Sequence, residues 1–510
     1  MGLGTTLAVS LVGLSGHVVE VQAHLAASVP GFTIVGLPDA ALSESRDRVK
    51  AAVTSTGLPW PVKKITVNLS PASLRKHGSG YDLAVAVAIL AGAGTIASAG
   101  LERIVHVGEL GLDGRVQPVR GVLPAVLAAV RAGYRDVVVA AGDAEEARLV
   151  PGARVVGAAS LAEVIALHGG SADLVREVEP VRRPQPTLPP RPEADMSDVL
   201  GQHTARAALE VAAAGGHHLL FVGPPGAGKT MLASRLPGIL PDLTDAEAVE
   251  VTAVHSVAGT FDPARGLIRR PPFEAPHHTA TPAAVVGGGT GVPRPGAASR
   301  AHRGVLLLDE SPEFQPRVLE TLRQPLEHGE LVIHRSGGAA RYPARFQLVL
   351  AANPCPCGMA VGKGTACTCS VTARRRYFAR LSGPLLDRVD VQVEVLPVTR
   401  ADREGGPGEP TAVVAARVAG ARAAARARLA ATPWTTNAEV PGRWLRDLLR
   451  PRDRMLGAID AALDAGTLSL RGVDRVLRVA WTLADLAGHD APTVADMGQA
   501  LLLRTRGHHG

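Results

Sequence analysis

The chain has 510 residues, 46% of them apolar, and Lys plus Arg exceed Asp plus Glu by 54 − 47 = 7. That length predicts about three domains at roughly 150 residues each, and so apolar a composition excludes wholesale disorder. The small basic surplus permits a polyanionic partner without demanding one, aromatics at 3% leave little for base-stacking platforms, and only four cysteines exclude a disulfide scaffold and suit a reducing compartment.

In chain order, no Lys or Arg precedes Arg46, so the apolar start lacks the basic region of a secretory signal. Met1-Gly2 with Thr6 fits a myristoylation pattern only formally. The longest uncharged run, Leu83 to Leu101, contains Gly92, Gly94, Thr95, Ser98 and Gly100 and reads as a buried helix and loop rather than a membrane span. A soluble, cytoplasmic protein is expected. Between Pro180 and Pro192, prolines alternate with Arg182, Arg183 and Arg191. Proline fixes φ and removes a donor, so this stretch predicts an extended linker. A second break, Ala401 to Pro410, is rich in Gly and charge. The expected division is therefore a first block over 1–172, a linker over 173–197, a second block over 198–400, a hinge over 401–411 and a third block over 412–510.

Leu219 to Val222 reads as a buried strand. It runs into Gly223-Pro-Pro-Gly-Ala-Gly-Lys-Thr230, the phosphate-loop pattern, followed by a helical stretch over Met231 to Leu236. In such a loop Gly223, Pro224, Pro225, Gly226, Ala227 and Gly228 wrap backbone N–H groups around phosphates, and the helix N-terminus adds its positive end. Lys229 can reach the β and γ phosphates and the Thr230 hydroxyl can hold Mg²⁺. His277 and His278 are adjacent; on a strand they would face opposite ways, which favours a structural or polar-contact role over metal binding. Val305 to Glu310 is a second buried strand ending in two acids, Asp309 to support Mg²⁺ and Glu310 to polarise the attacking water. A third strand, Phe346 to Ala352, ends at Asn353, whose neutral amide can orient that water.

All four cysteines fall in Cys355-Pro-Cys357 and Cys367-Thr-Cys369. A chance grouping that tight has a probability of about 10⁻⁴. Four thiolates can complete a tetrahedral Zn²⁺ site pinning a loop that holds Gly358, Gly362 and Gly364, with a redox-sensitive pair and plain thiols as the other readings. Arg388 and Arg471 each carry a planar guanidinium suited to the charge of a transferring phosphoryl group, although either could be an ordinary surface ion-pair residue. Ala412 to Leu429 is Ala/Arg-rich and predicts a helix. Its Arg417, Arg422, Arg426 and Arg428, together with Arg374-Arg-Arg376, are candidate phosphate contacts, with solvated surface the competing reading.

Phosphate loop, acid-ended strand, Asn-ended strand and late arginines together resemble an AAA+ ATPase. The strings Asp198-Val-Leu-Gly-Gln202, Ala275-Pro-His-His-Thr279, Leu322-Arg-Gln-Pro-Leu-Glu327 and Ser382-Gly-Pro-Leu-Leu-Asp-Arg388 resemble the magnesium-chelatase-like branch, specifically the ComM/YifB family. So do Phe32-Thr-Ile-Val-Gly-Leu-Pro-Asp39, Ser43-Glu-Ser-Arg46 and Ile65-Thr-Val-Asn68 in the first block. The resemblance implies an α/β fold throughout: a ribosomal-S5/Lon-like α/β domain first, then a three-layer P-loop core with a parallel sheet, then a C-terminal helical lid.

It further implies ATP with Mg²⁺, a homo-oligomeric ring expected to be hexameric, and branch-migration helicase action on branched or single-stranded DNA. Arg388 resembles an arginine finger acting on a neighbouring subunit, Asn353 resembles sensor 1, Arg471 resembles the lid arginine (sensor 2), and Val199 to Gln202 would lie near the adenine. The segments 255–300 and 329–341 resemble a pore-facing insert and hairpin, which makes Arg335 and Arg341 candidate DNA contacts. Ala297 stands where the family usually has Glu. In the Lon-like block, Tyr81 or Asp82 occupies the position of Lon's serine and Leu123 that of its lysine, so a proteolytically inactive scaffold is expected, with Ser79 a turn residue. The rival readings are a motor subunit for Mg²⁺ insertion into a porphyrin, an ATP-gated assembly scaffold, and an ATP-dependent protease, the last disfavoured by the missing dyad.

Overall fold

The computed structural model describes the chain from Gly2 to Thr505 apart from residues 38, 40, 41, 43, 75, 77, 184–193, 290–292, 336–337, 361–365, 382, 405, 450–456 and 465–467. Residues 184–193 of the expected linker therefore lie outside the described residues, as do Ser43, Ser336, Gly362, Gly364 and Ser382.

The first block is built on a long hairpin, β1 (Gly2–Val12) and β2 (Ser15–Ala26), paired in register from Gly2↔Leu25 to Val12↔Ser15. Val19, Val21, Ala23 and Leu25 alternate into the core, which is why this sequence forms a strand with one face buried. β3 (Gly31–Val35), β4 (Lys64–Ser70), β5 (Ile104–Val107), β6 (Asp136–Ala140) and β7 (Arg154–Ala158) complete a mixed sheet of order β3-β4-β2-β1-β5-β6-β7. The uncharged run forms α1 (Asp82–Ala93), buried along its length and ended by Gly94 at φ +77. Its close seat on β1 requires glycine: a Cβ at Gly4 would stand 2.1 Å from the Ala88 carbonyl oxygen. No described helix is long and apolar enough to cross a membrane.

The second block opens with α2 (His203–Gly215) and β8 (Leu219–Val222), followed by α3 (Lys229–Ile239) and α4 (Asp245–Ala258). Strands β9 (Phe273–Glu274), β10 (Val305–Leu308), β11 (Gln347–Ala352) and β12 (Val391–Glu394) join β8 in a sheet of order β9-β10-β11-β8-β12, parallel throughout. β10 and β11 are buried at every residue, as strands covered on both faces must be. One face carries Leu306, Leu308, Leu348 and Leu350; the other carries Leu219, Phe221 and Val349 together with Val473, Val476 and Trp481 of the C-terminal block. The lid helices α5 (Thr411–Arg428), α6 (Leu470–Ala487) and α7 (Val494–Thr505) thus share a core with the sheet.

Boundaries shift for local reasons. The helix after the phosphate loop begins at Lys229 rather than Met231, so Lys229 and Thr230 ride on its first turn. The Gly- and charge-rich break begins with a short helix, Arg400–Glu404, whose Asp402 carboxylate accepts from the Thr399 amide at 2.8 Å. Ala297 lies buried in the apolar cluster beside β10, where a glutamate would sit without water. The first block packs onto α4: Ala253 joins its core, and Ser256 donates to the buried Glu146 carboxylate, whose pKa burial raises.

Candidate nucleotide site

In a parallel sheet the loops at the carboxyl ends of adjacent strands meet, so β8, β10 and β11 deliver Gly223, Asp309 and Asn353 to one place. Gly226 and Gly228 take φ of +77 and +92, values that favour glycine, and nothing lies within 4 Å of where a Gly226 side chain would begin. The loop is therefore an open cradle ending on a helix N-terminus that no side chain caps. Lys229 Nζ donates to the carbonyls of Gly223 (2.7 Å) and Pro224 (2.9 Å) and to Asn353 Oδ1 (3.1 Å). Burial lowers the Lys229 pKa, with Asp309 and Glu310 pulling the other way. The ammonium is satisfied by weak neutral acceptors, which a polyphosphate would replace to advantage.

Thr230 Oγ1 lies 2.5 Å from Asp309 Oδ2, a pair of hard oxygens of the kind Mg²⁺ takes. The donor set therefore fits magnesium, with Thr230 and Asp309 as its holders. Asp309 Oδ1 also accepts from the Glu310 amide at 2.8 Å. Glu310 itself has φ +50, a left-handed turn that ends the strand. Its carboxylate meets His278 Nδ1 at 3.0 Å. Sequence reasoning assigns His278 only a structural or polar-contact role; adjacency to His277 identifies no partner, and nothing local points 32 residues ahead to Glu310. Gln202, at the N-terminus of α2, donates to the Ala227 carbonyl of the phosphate loop at 3.2 Å, and Val199 is fully buried nearby in the chain.

Neither arginine joins this set. Arg388 donates to the Pro384 carbonyl at 2.8 Å and pairs with Glu327. Its pKa is lowered by burial and by the neighbouring Arg475, Arg323 and Arg471. Arg471 is 83% exposed, with Nη1 3.6 Å from Asp387 Oδ2. The described contacts thus place Arg471 near Arg388 and tie neither residue to the phosphate loop. Sequence reasoning missed what anchors this region: Asp390, 2% exposed, receives Arg475 Nη1 at 2.6 Å and His217 Nδ1 at 3.0 Å, while His217 Nε2 meets Thr482 Oγ1 at 2.7 Å. Burial alone would raise Asp390, but Arg475 and His217 hold it well below the usual carboxylate range.

The α5 arginines divide: Arg422 and Arg428 are part-buried, and Arg417 and Arg426 are exposed. Arg422 donates to the Ala213 carbonyl at 2.9 Å, and burial lowers it to about 10. Arg417 pairs with Glu210 and Glu409, and Arg428 pairs with Asp485 and lies 4.3 Å over the Trp481 ring. α5 turns Arg417 and Arg422 onto α2 and Arg428 onto α6, and of the four only Arg426 is exposed with no ion pair among the described residues. Arg375 and Arg376 are exposed. The hairpin expected over 329–341 exists as strands Glu330–Arg335 and Gly338–Pro343. Arg341 on it is 70% exposed and 3.4 Å from Glu330, while the side chain of Arg335 lies outside the described residues.

The four cysteine sulfurs lie within 4.8 Å of one another. In the first block Ser79 donates to Glu109 and the buried Lys76 ammonium to the Pro71 carbonyl, while Tyr81, Asp82 and Leu123 are buried, Asp82 against Arg48 at 2.6 Å.

Against known proteins, residues 195–403 match the family described as magnesium chelatase, subunit ChlI, residues 20–143 match subunit ChlI of Mg-chelatase, and residues 408–504 match the ChlI C-terminal family. An uncharacterized protein of Mycobacterium tuberculosis is 51% identical over 507 residues, 99% of each chain. Competence protein ComM of Haemophilus influenzae is 40% identical over 503 residues, 98% of this chain and 97% of that one. YifB of Escherichia coli is 39% identical over 496 residues, 96% and 95% of the two chains. With a phosphate loop, a Thr–Asp pair and a strand-end glutamate gathered at one sheet edge, and with similarity along nearly the whole length, the chain belongs to the ComM/YifB family of magnesium-chelatase-like proteins and carries an AAA+-type ATPase core.

Proposed function

We propose that this protein is a ring-forming, Mg²⁺-dependent ATPase motor that acts on branched or single-stranded DNA. Lys229 exchanges its loop carbonyls for the β and γ phosphates, Asn353 orients the attacking water, and Glu310 takes that water's proton as the water oxygen bonds to the γ-phosphorus and the bond to the β–γ bridging oxygen breaks, releasing ADP and phosphate. Magnesium, held by Thr230 and Asp309, supplies neutralisation of the phosphate charge. The remaining anionic charge of the transferring group is met by Arg388, and beside it Arg471, from an adjacent copy.

The observation that carries this reading is the gathering of Lys229, Thr230, Asp309, Glu310 and Asn353 at one sheet edge, while Arg388, paired with Glu327, touches none of them in the described contacts. A guanidinium held by a single carboxylate can exchange it for a phosphate, and a neighbour's nucleotide is the anion that a ring would bring. Arg426 and the hairpin carrying Arg341 offer exposed charge to a DNA backbone, and a relative similar along its whole length bears the name competence protein. The four cysteines are read as a structural zinc site within this core.

The test mixes two dead variants. Lys229→Ala cannot hold triphosphate and Arg388→Ala cannot complete a neighbour's site, so each alone loses roughly 10³-fold or more in kcat. Mixed rings should recover part of the activity, because an intact Arg388 from the first variant meets an intact loop of the second. A mixture no more active than its components overturns shared sites. ATPase that is unmoved by forked or single-stranded DNA overturns the DNA assignment and leaves an assembly ATPase or a metal-insertion motor.

A further inference from the structure

The cysteine cluster is seated against the nucleotide loop. Sγ–Sγ distances are 3.3 Å for Cys355–Cys357, 3.6 Å for Cys355–Cys367 and 3.7 Å for Cys357–Cys367. Four sulfurs bound tetrahedrally at 2.3 Å from zinc stand about 3.8 Å apart, whereas a disulfide needs about 2.05 Å. Cys355 is fully buried and the other three lie nearer the surface, as expected of a closed site at the root of a loop. Soft thiolates in this number select zinc over the hard cations that the Thr230–Asp309 pair would take.

What the cluster holds in place is equally visible. Cys355 follows Asn353 by two residues, and Asn353 accepts from Lys229. Gly358, in the turn after Cys357, has φ +76 and lies so close to the phosphate loop that a Cβ there would stand 2.6 Å from Pro225 Cδ. Past Cys369, Ser370 caps the helix Val371–Ala379 by accepting from the Ala373 amide at 3.1 Å, and Tyr377 of that helix is hydrogen-bonded to the backbone of Asn353. Both ends of the cysteine segment therefore converge on Asn353, and the turn at Gly358 rests on Pro225.

We infer that Cys355, Cys357, Cys367 and Cys369 bind one Zn²⁺ as four thiolates, releasing four protons, and that the metal clamps Asn353 and the turn at Gly358 against the phosphate loop. Metal binding rests on the cluster alone, while its consequence for catalysis rests on the ATPase reading. No electrons are transferred; four S–H bonds are exchanged for four Zn–S bonds. The zinc acts on the reaction only through Asn353 and Pro225, as a positioning element.

The experiment uses the full chain, purified under reducing conditions without added metal, and Cys369→Ser beside it. Elemental analysis should return close to one zinc per chain for the wild type and a clear deficit for the variant. Cobalt substitution should give the absorption bands of tetrahedral thiolate coordination. Hydrogen exchange at residues 223–229 and 353–358 should accelerate when a mercurial displaces the zinc and slow again when thiol and Zn²⁺ are restored, and kcat should fall and recover in step by roughly 10- to 100-fold. Reversal on the unmutated chain keeps the test independent of whether Cys369→Ser folds. Wild-type protein free of zinc with four reactive thiols overturns the site. Zinc whose removal leaves exchange at 223–229 unchanged overturns the clamp. Zinc present and exchange responsive, in a chain that hydrolyses no ATP, leaves this inference standing and defeats the ATPase reading instead.

Discussion

Replacing Arg475 by methionine tests the deepest charge arrangement in the core. Asp390 is 2% exposed and draws its compensation from Arg475 at 2.6 Å and His217 at 3.0 Å, with Arg478 and Arg504 further out, their groups turned to the carbonyls of Val440 and Val389. Removing one partner of a buried pair costs about 3–5 kcal/mol because the other charge stays behind. His217, Arg478 and Arg504 remain, so the lower end, about 3 kcal/mol, is the expected loss. For a cooperative unit of 150–250 residues this lowers Tm by roughly 6–12 °C, which scanning calorimetry reads directly.

The pH dependence fixes the cause. In the wild type Asp390 lies below its unfolded value, so its pairing stabilises the protein above the ordinary aspartate range and that contribution fades only as pH falls through the depressed value. In Arg475→Met burial dominates and raises the carboxyl, which then costs stability at neutral pH and is relieved as acid protonates it. The gap between the two proteins should therefore narrow from pH 7.5 to pH 5, and Asp390→Asn in the variant background should recover part of the loss. Because Arg475 also donates to the Arg388 carbonyl at 3.2 Å, kcat should drop roughly 10- to 100-fold while nucleotide affinity holds. A Tm within about 2 °C of wild type, with the same gap at both pH values, would falsify the account of Asp390 as a buried, compensated charge.

Glu310→Gln should keep ATP binding, measured by a fluorescent analogue, and lose roughly 10²- to 10⁴-fold in single-turnover hydrolysis; equal loss of binding would show the residue holding nucleotide instead. His278→Ala releases the Glu310 carboxylate from a hydrogen bond worth about 1 kcal/mol, so basal kcat should rise roughly fivefold with nucleotide affinity unchanged, and an unaltered steady-state rate rules out that restraint. Gly358→Val places a branched side chain where Pro225 already stands, in a left-handed backbone conformation besides. ATP affinity by calorimetry should fall at least tenfold, and full affinity would mean the turn does not touch the loop in solution.

Much of the candidate site was legible because each piece is a local string. Gly223 to Thr230 dictates a turn and a helix start, and Val305 to Glu310 spells a buried strand and its acids within six residues. The parallel sheet then brings such strand ends together whatever their spacing in the chain. The cysteine pairs were legible for the same reason. Asp390, Arg475, His217 and Thr482 were not, because their partners lie 85 to 265 residues apart and no periodicity marks them. The arginines of α5 show a different limit. An Ala/Arg-rich helix has no strong apolar stripe, so composition announces the helix without saying which guanidiniums find partners, and only docking on α2 and α6 ties down Arg417, Arg422 and Arg428 and not Arg426.

The two halves of the chemistry are joined by one element. Helix α2 begins beside Gln202, which holds the Ala227 carbonyl of the phosphate loop, and is followed two residues after its end by His217, which holds Asp390 next to the Arg388 segment. Thirteen residues at 1.5 Å each make a rod about 20 Å long. A nucleotide that moves Ala227 therefore pulls on Gln202 at one end, while Arg388 sits at the other end behind Asp390, braced from the lid by Arg475 and Thr482. Because the lid shares its core with the sheet, displacing that rod means shifting packed side chains between a few discrete arrangements rather than bending a loop. In the ring proposed above, the position of Arg388 is in this way tied to the state of its own copy's site, which is the mechanical condition for hydrolysis to pass from one subunit to the next.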